Sequence, residues 1–470
     1  MHRAAFTLLC LAALTVGLHA GEEDPNLVWI VADDLGWRDL GTGDPLFQTP
    51  ALDELAREGV VVERAYSACA VCSPSRAALL TGYHPARLGL TDYIHPRDAE
   101  TTKAHRSGIP AKGLAPAGER VLETPHNMPW LPAEAPTLAE LLASRGYATA
   151  HVGKWHLGGE GRTPTDRGFD ENHGGVLRGS PPSYFDPFRI ETFPPREEGE
   201  YLTDREADAA VSFIERNHAR PFFLHVTSYA VHSPFQAPKE LVDSYLEAAE
   251  GDRRRATYAA MVAKFDGLVG QVLEALDRHE LDGNTLVVFT SDNGGASHLG
   301  ASDNRPLRAG KGFAYEGGSR VPLVLRWTGV LPEGGRRSGP VIGTDLLPTC
   351  LAGMGLDSPE GLDGHDLWGH LVDGEEPAPR LLSWHFPHYW WGGRVQPYSS
   401  LVDGGYKLIR RWETGEHELY DLEADPGEER DLASSAPDRL EALTARLDQT
   451  LEELGARLPR QAPSDDRRDD

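Results

Sequence analysis

Two long apolar runs, each followed at once by acidic or amide side chains, constrain the fold of this chain more than any other feature. The first, Asn26–Ala32, precedes Asp33-Asp34, and the second, Thr285–Ser291, precedes Asp292-Asn293. Apolar runs of this length indicate strands buried on both faces, as in a parallel sheet covered by helices. Because ligands bind at the carboxyl ends of such strands, the pattern predicts an α/β fold with an oxygen-rich site at one sheet edge.

The acidic side chains at these strand ends predict a metal site. An isolated Asp33-Asp34 pair could equally be a polar turn after a strand. A second strand ending in Asp292-Asn293 favours a cation, since adjacent carboxylates repel each other without one. Hard oxygen ligands suit Ca²⁺ or Mg²⁺ better than a soft metal.

A cysteine stands at the start of a further apolar segment, Cys72–Gly82. Pro74 suits the first turn of a helix, and the free N–H groups of that turn favour negative charge. Arg76, one turn after Cys72, can bind a tetrahedral oxyanion on the same side. This segment predicts an anion site built around a sulfur. A Cys69-x-x-Cys72 redox pair or half zinc site is the weaker reading, because no second Cys or His pair stands at zinc-finger spacing.

Cys72-x-Pro74-x-Arg76, followed by Leu80-Thr81-Gly82, resembles the signature of the type I sulfatases of the alkaline-phosphatase superfamily. In that family the cysteine is oxidised to formylglycine, and the hydrated aldehyde attacks the sulfur of a sulfate ester. The resemblance implies a sulfuric ester hydrolase with one Ca²⁺, for which Mg²⁺ is the alternative. The calcium ligands that it implies are Asp33, Asp34, Cys72, Asp292 and Asn293.

Basic and imidazole side chains follow in the order of the same family. Lys154 and His156 come after a predicted strand, Ala148–Val152, and would point the same way if that strand continued. His232 lies in Tyr229–Pro234, where Val231 stands in place of the family's usual proline. Taken singly, each of these side chains could be merely structural.

The resemblance also implies roles for this set, to which Lys311 in a glycine-rich loop belongs. Arg76, Lys154 and Lys311 would neutralise sulfuryl oxygens. His232 would protonate the leaving alkoxide, a step typically worth about 10²- to 10⁴-fold. His156 would take a proton as sulfate is expelled, and the metal or Asp292 would help to deprotonate the nucleophile.

Strand-like and helix-like segments alternate from about Asn26 to Leu371 and predict a mainly parallel sheet between helices. The resemblance implies an alkaline-phosphatase-like α/β domain and a small C-terminal α+β subdomain with an antiparallel sheet. The expected division is a signal peptide at 1–20, a catalytic domain at 24–375, a C-terminal subdomain at 380–456 and a disordered tail at 461–470. The poorly patterned segment Tyr93–Pro132 is expected to be an insertion beside the pocket.

The beginning of the chain predicts export. A charged start and the apolar run Phe6–Leu18 precede Ala20, as in a cleaved secretory signal. No segment is a good candidate for a membrane span. We therefore expect a secreted or periplasmic enzyme, or one in a lysosome-like compartment if the source is eukaryotic.

The formal net charge of −26 over 470 residues argues against nucleic acid or an anionic membrane as the partner. The surplus of acidic residues is expected to form a solvated surface. A maturation enzyme that generates formylglycine, or an equivalent one, is the protein partner that the resemblance implies.

A loop near the C-terminal subdomain bears on the substrate. Its aromatic and imidazole groups suit stacking on sugar rings, and an arginine there could meet a second acidic group. Packing of the two domains explains the same residues equally well. Relatives with a similar stretch often act on sulfated carbohydrates, which makes a sulfated sugar the first expectation. The residues are His385, His388, Tyr389, Trp390, Trp391 and Arg394.

Two other functions remain open from the sequence. One is a phosphomonoesterase or phosphodiesterase of the same superfamily, although such relatives generally use a second metal, for which no ligand set is evident. The other is a catalytically silent binder of sulfated glycans, if Cys72 stays unmodified.

Overall fold

The computed structural model describes residues 24–97 and 99–463. The expected signal peptide at 1–20 lies outside the described residues, as do residues 464–470 of the expected tail. The strands, β1 to β17, are Asn26–Ala32, Val60–Val62, Ala65–Tyr66, Leu114–Ala115, Leu122–Pro125, Ala148–Gly153, Glu171–His173, Phe222–Thr227, Thr285–Ser291, Leu323–Arg326, Gly335–Arg337, Val341–Ile342, Leu381–Phe386, Tyr398–Asp403, Tyr406–Arg411, His417–Asp421 and Arg460–Gln461. The helices, α1 to α12, are Pro50–Glu58, Cys72–Thr81, Pro85–Leu88, Ala99–Ser107, Leu138–Ala143, Leu202–Asn217, Lys239–Tyr245, Arg253–Arg278, Glu316–Ser319, Leu346–Gly353, Trp368–Asp373 and Pro437–Glu453.

The largest sheet has eight strands in the order β11-β2-β10-β9-β1-β8-β6-β7. Its strand pairs are parallel except for those of β10, which runs antiparallel to β9 and β2. The central position of β1, between β8 and β9, explains its unbroken apolar sequence. The expectation of a mainly parallel α/β sheet is confirmed.

Side chains of β1 alternate between two hydrophobic layers. Val28 and Ile30 pack in the layer that contains apolar residues of α1, α6 and α8. Leu27 and Trp29 pack in the opposite layer, with residues of α2, α5 and α10. The sheet therefore lies between two layers of helices, and its strand ends are held rigidly.

The C-terminal part of the chain forms an antiparallel sheet, β13-β14-β15-β16, against which α12 packs through leucines. This confirms the expected antiparallel sheet. The chain then returns to the larger domain, because β17 pairs with β5. Gln461, expected to begin a disordered tail, is a member of that strand pair.

The segment expected to be a poorly patterned insertion contains α4, β4 and β5. Its polar, glycine-rich composition hid these short elements, which have few buried side chains of their own. In the part of the chain that the structure describes, no helix is both long and apolar enough to cross a membrane.

A buried ion network joins the antiparallel sheet to the larger domain. Lys407 of β15 lies 3.0 Å from carboxylate oxygens of both Glu316 and Glu428. Glu316 opens α9, directly after the loop that carries Lys311, and its N–H donates to Glu428 Oε2 at 2.7 Å. All three charged side chains are at most 2% exposed, so none has water as an alternative partner.

Replacing this lysine should destabilise the protein strongly. Lys407→Met leaves the Glu428 carboxylate buried without a cation and leaves Glu316 with Arg320 alone. Removal of one partner from a buried ion pair costs about 3–5 kcal/mol. The free energy of unfolding in urea measures the effect. Lys239→Met is the matched control, because Lys239 is 72% exposed in its ion pair with Asp243 and should matter little. Equal, small effects of both substitutions would contradict this assignment.

Candidate active site

The site lies at the carboxyl ends of four neighbouring parallel strands. Asp33 follows β1, Asp292 follows β9, Lys154 follows β6, and the loop after β8 carries His232. Cys72 is the first residue of α2, as the sequence predicted for a helix entrance. Every residue that the sequence analysis named as a ligand or catalytic group lies in or beside this cluster.

Asp33 lies between two cations. Its Oδ2 accepts a hydrogen bond from Lys154 Nζ at 2.7 Å, and its Oδ1 lies 3.7 Å from Arg76 Nη2. Arg76 Nε also donates to Asp292 Oδ2 at 2.8 Å. Burial raises the pKa of Asp33 to about 8, against the opposing charge of Lys154. A further cation would therefore favour the carboxylate form.

Lys311 contacts both Asp34 and the sulfur of Cys72. Lys311 Nζ lies 2.5 Å from Asp34 Oδ1 and 3.3 Å from Cys72 Sγ. Burial alone would raise the pKa of Asp34, but Lys311 and His232 hold it below its usual range. Burial also raises the pKa of the Cys72 thiol, despite the nearby Lys154 and Lys311. The free thiol therefore gains no acidity here.

The donor set fits a hard cation. Ligand atoms of Asp33, Asp34, Cys72 and His232 all lie within 4.8 Å of one another. Two buried oxygens, Asp33 Oδ1 and Asn293 Oδ1, have no hydrogen-bond partner. Orphaned carboxylate and amide oxygens at one place are suitable ligands for Ca²⁺ or Mg²⁺.

Asp292 and Asn293 occupy two different positions around Asp34. Asp292 Oδ1 accepts from the N–H of Asp34 at 3.2 Å, so it braces the backbone of the first strand end. Asn293 Nδ2 donates to Asp34 Oδ1 at 2.8 Å. Both residues are completely buried.

His232 is oriented by its own loop. Its Nδ1 lies 2.7 Å from the carbonyl oxygen of Ser233, which can only accept, so Nδ1 carries a proton. Nε2 then lies 3.6 Å from Asp34 Oδ2. Burial lowers the pKa of His232 to about 3, against the opposing effect of Asp34. The N–H of Val231, which a proline would lack, donates to the carbonyl of Asp33.

His156 does not continue the direction of its strand. β6 ends at Gly153, whose φ of 96° bends the chain, and His156 itself has a φ of 58°. The expected alternation of Lys154 and His156 along a continued strand is therefore absent. Instead, His156 Nε2 donates to the carbonyl of Ile94 at 2.7 Å, which leaves the buried Nδ1 without a hydrogen-bond partner.

A cavity of about 540 Å³ opens onto this cluster. The volume is in the usual range for small-molecule sites. Several wall residues could not be predicted from the sequence, because single side chains in irregular loops carry no periodic signal. Those missed include Tyr93, His95, Arg97, Arg178 and His298, of which the first three belong to the expected insertion.

The loop that the sequence offered for sugar binding divides into two roles. His385 contacts Ser399 and the carbonyl of Arg457, so it packs within the C-terminal part of the chain. His388 contacts Thr91 and so packs between the C-terminal part and the larger domain. Trp390 lines the cavity. The remaining members, Tyr389, Trp391 and Arg394, are not among the cavity-lining residues; Arg394 lies over the ring of Trp391, 4.4 Å from its centroid.

Cys69 belongs to a different environment from Cys72. Both are free cysteines. Cys69 packs in an apolar cluster with Val71 and Tyr398, and burial raises its pKa to about 12. These surroundings favour a packing role over the redox or zinc reading.

Comparison with known proteins agrees with this geometry. The sulfatase family model matches residues 25–356, and the model of the N-sulphoglucosamine sulphohydrolase C-terminal region matches residues 309–457. N-acetylgalactosamine-6-sulfatase of Sus scrofa is 32% identical over 490 residues, which cover 93% of this chain and 87% of the relative. A sulfatase of Formosa agariphila is 31% identical over 492 residues, which cover 88% and 85%.

Among solved structures, Ps i-CgsB in complex with k-i-k-neocarrahexaose superposes with a TM-score of 0.76 at 31% identity, covering 91% of this chain and 92% of that chain. The fold is thus that of the alkaline-phosphatase superfamily. The chain belongs to the sulfatase family within it and is a sulfuric ester hydrolase.

A methyl group at Gly179 should displace His156. A Cβ at this position would lie 2.6 Å from His156 Nδ1 and 2.7 Å from Nε2. We expect Gly179→Ala to cost about 1–3 kcal/mol in thermal unfolding and to lower kcat on an aryl sulfate. Gly267→Ala is the control, because nothing lies within 4 Å of its Cβ in the exposed face of α8. Wild-type stability and kcat in Gly179→Ala would contradict the close packing.

Proposed function

We propose that this protein hydrolyses sulfate monoesters of a sulfated carbohydrate through a formylglycine at position 72, with one Ca²⁺ held by Asp33, Asp34, Asp292, Asn293 and residue 72. The observation that carries the proposal is the buried cluster in which carboxylates, three cations and the Cys72 sulfur meet. In the overall reaction, a sulfate ester and water give an alcohol and sulfate. Mg²⁺ is the alternative ion.

The buried cations of the site would bind the sulfuryl group. Lys311 Nζ already contacts the Cys72 sulfur, so it is at the position where a group bonded to residue 72 would lie. Arg76 and Lys154, which form ion pairs with Asp33, would supply further N–H donors. When bound, calcium would supply additional positive charge for the sulfuryl oxygens and for the nucleophile.

Residue 72 requires oxidation before it can act as proposed. Formylglycine, as its hydrate, would supply one hydroxyl to attack sulfur and a second that allows sulfate to be expelled. The raised pKa of the Cys72 thiol supports a need for this change, since an unmodified thiol would be a poor nucleophile here. A maturation enzyme is therefore the proposed protein partner.

Two histidines would move the protons. His232 Nε2 faces the cavity side of Asp34 and would donate a proton to the leaving oxygen once the bound anion favours its charged form. His156 Nδ1, held as an acceptor by the hydrogen bond of Nε2 to Ile94, would take the proton released as sulfate departs.

A sulfated carbohydrate is the proposed substrate class. Two relatives support it by name, one an N-acetylgalactosamine-6-sulfatase and the other solved with a neocarrahexaose. Trp390 offers an aromatic face on the cavity wall, which suits a sugar ring. We further propose that the protein is secreted or periplasmic, or lies in a lysosome-like compartment if the source is eukaryotic, on the basis of the N-terminal sequence.

The rival proposal is hydrolysis of phosphate esters. A phosphonate monoester hydrolase shares the fold with a TM-score of 0.63 at 21% identity. Among the described residues, however, only one group of His, Cys, Asp and Glu side chains is close enough to hold a metal. One metal with flanking lysines suits the single charge of a sulfate ester better than the roughly two charges of a phosphate monoester near neutral pH.

Parallel assays separate sulfatase from phosphatase activity. The protein, produced with a maturation enzyme, should hydrolyse para-nitrophenyl sulfate with kcat/KM at least about 10²-fold above that for para-nitrophenyl phosphate, because the site neutralises one charge. Mass spectrometry of the peptide containing residue 72 should give a loss of about 18 Da, as expected for thiol-to-aldehyde conversion. Cys72→Ala should abolish turnover, whereas Cys69→Ala, the matched control, should retain it.

An unmodified thiol at position 72 in protein that hydrolyses the sulfate ester would contradict the proposed formylglycine chemistry. Preference for the phosphate ester would favour the rival. Tight binding of sulfated glycans without turnover, with an unmodified thiol at position 72, would indicate the silent binder.

Calcium should stabilise the protein through the orphaned oxygens. Addition of Ca²⁺ after treatment with a chelator should raise Tm, since a ligand that binds only the folded state stabilises it by mass action. Asn293→Leu removes one oxygen and should weaken calcium binding in isothermal titration calorimetry by about tenfold or more. Asn284→Leu, at the half-exposed Asn284, is the control. Identical calcium affinity in both variants would exclude Asn293 as a ligand.

A further inference from the structure

The cavity wall is rich in basic side chains, although the chain as a whole is strongly acidic. The chain has 72 acidic against 46 basic residues. Among the described residues that line the cavity, Asp34 is the only one with a carboxylate, and Lys311 already neutralises it. The same wall carries two arginines, Arg97 and Arg178, and four histidines, His95, His156, His232 and His298.

The two arginines do not belong to the group that would hold the sulfuryl oxygens. Arg76 and Lys154 do belong to it, and they are fully buried in ion pairs with Asp33. Arg97 is exposed and Arg178 half-buried. Within residues 24–97 and 99–463, neither Arg97 nor Arg178 forms an ion pair with a carboxylate within 4.0 Å. Their charge is therefore available to a ligand.

Both arginines are anchored beside His156. Ile94, three residues before Arg97, accepts the hydrogen bond of His156 Nε2, and its N–H donates to Ser73 Oγ at 3.0 Å. Gly179, directly after Arg178, packs so closely on the imidazole that it has no room for a side chain. The two loops that carry the arginines are therefore both anchored next to His156.

The positive wall continues beyond the cavity. Arg97 also lines an adjoining cavity, together with Lys103 and Arg106 of α4. Both α4 side chains are exposed. The cationic groups thus extend from the mouth of the active site onto a helix surface. We name Arg97, Lys103, Arg106 and Arg178 the basic track.

We propose that the basic track binds further sulfate or carboxylate groups of an extended, polyanionic saccharide, so that the substrate is a multiply charged oligosaccharide and not an isolated monosulfated sugar. This inference rests on the proposed function and specifies its substrate. A single sulfate ester already has Arg76, Lys154 and Lys311 as partners, so the additional cations require additional anions. The net charge of −26 would otherwise repel such a ligand, which makes a local cationic surface necessary.

Competition by dextran sulfate, a polysaccharide with many sulfates, tests the basic track. In wild-type protein, dextran sulfate should inhibit hydrolysis of para-nitrophenyl sulfate at a concentration at least about 10²-fold below that of inorganic sulfate. Arg97→Gln/Arg106→Gln and, separately, Arg178→Gln should each reduce this ratio by about tenfold or more, because each removes charge-assisted hydrogen bonds. Higher salt should reduce the ratio further in wild type than in the variants.

The control is Arg145→Gln/Arg430→Gln, which removes the same charge from two exposed arginines outside both cavities. An equal loss in the control, or an unchanged ratio in the track variants, would overturn the proposal. Equal competition by a DNA oligonucleotide of matched charge would also overturn it in favour of a phosphate polymer.

Failure of the proposed function is distinguishable from failure of this inference. If wild-type protein does not hydrolyse para-nitrophenyl sulfate, the proposed function fails, and calorimetric titration of dextran sulfate into the same proteins still measures the track. A dissociation constant that rises about tenfold in the track variants but not in the control supports it, and identical constants exclude it.

Discussion

The concentration of buried charge at one sheet edge is the constraint on which the rest of the structure depends. Asp33, Asp34 and Asp292 are excluded from water, and carboxylates in such surroundings are tolerated only when cations compensate them. Arg76, Lys154 and Lys311 supply that compensation from three separate segments. The site and the core are therefore one structure, since the segments that neutralise the acids are also those proposed to bind the substrate.

The two domains depend on each other through similar chemistry. Lys407 holds Glu316 and Glu428 between the antiparallel sheet and the glycine-rich loop that carries Lys311. Trp390, from the C-terminal part, reaches the cavity wall and packs on Gly312, where a Cβ would clash with its ring. The smaller domain thus supports the loop that carries Lys311 and also contributes Trp390 to the cavity wall. Packing residues and a cavity-lining residue therefore lie side by side in one stretch of the sequence.

Whether the role of a residue could be predicted from the sequence depended on whether a local pattern marks it. Strand-end acids and the Cys72–Gly82 segment were predictable, because a buried strand and a helix entrance each have a local pattern. His385 and His388 were ambiguous, since an imidazole with a packing role looks the same in sequence as one that binds a sugar. Arg97 and Arg178 were not predictable, because they gain meaning only where two irregular loops meet at His156.

The sequence by itself determined the α/β class, the order of the strands that end in functional groups, and the family, because apolar runs and short motifs are local properties. The tertiary structure decided which loops form the cavity, how the chain turns at Gly153, and how positive charge gathers in an acidic protein. These depend on contacts between residues far apart in the chain, such as Asp34 with Lys311. No local pattern encodes such contacts, since their energy exists only once the chain has folded.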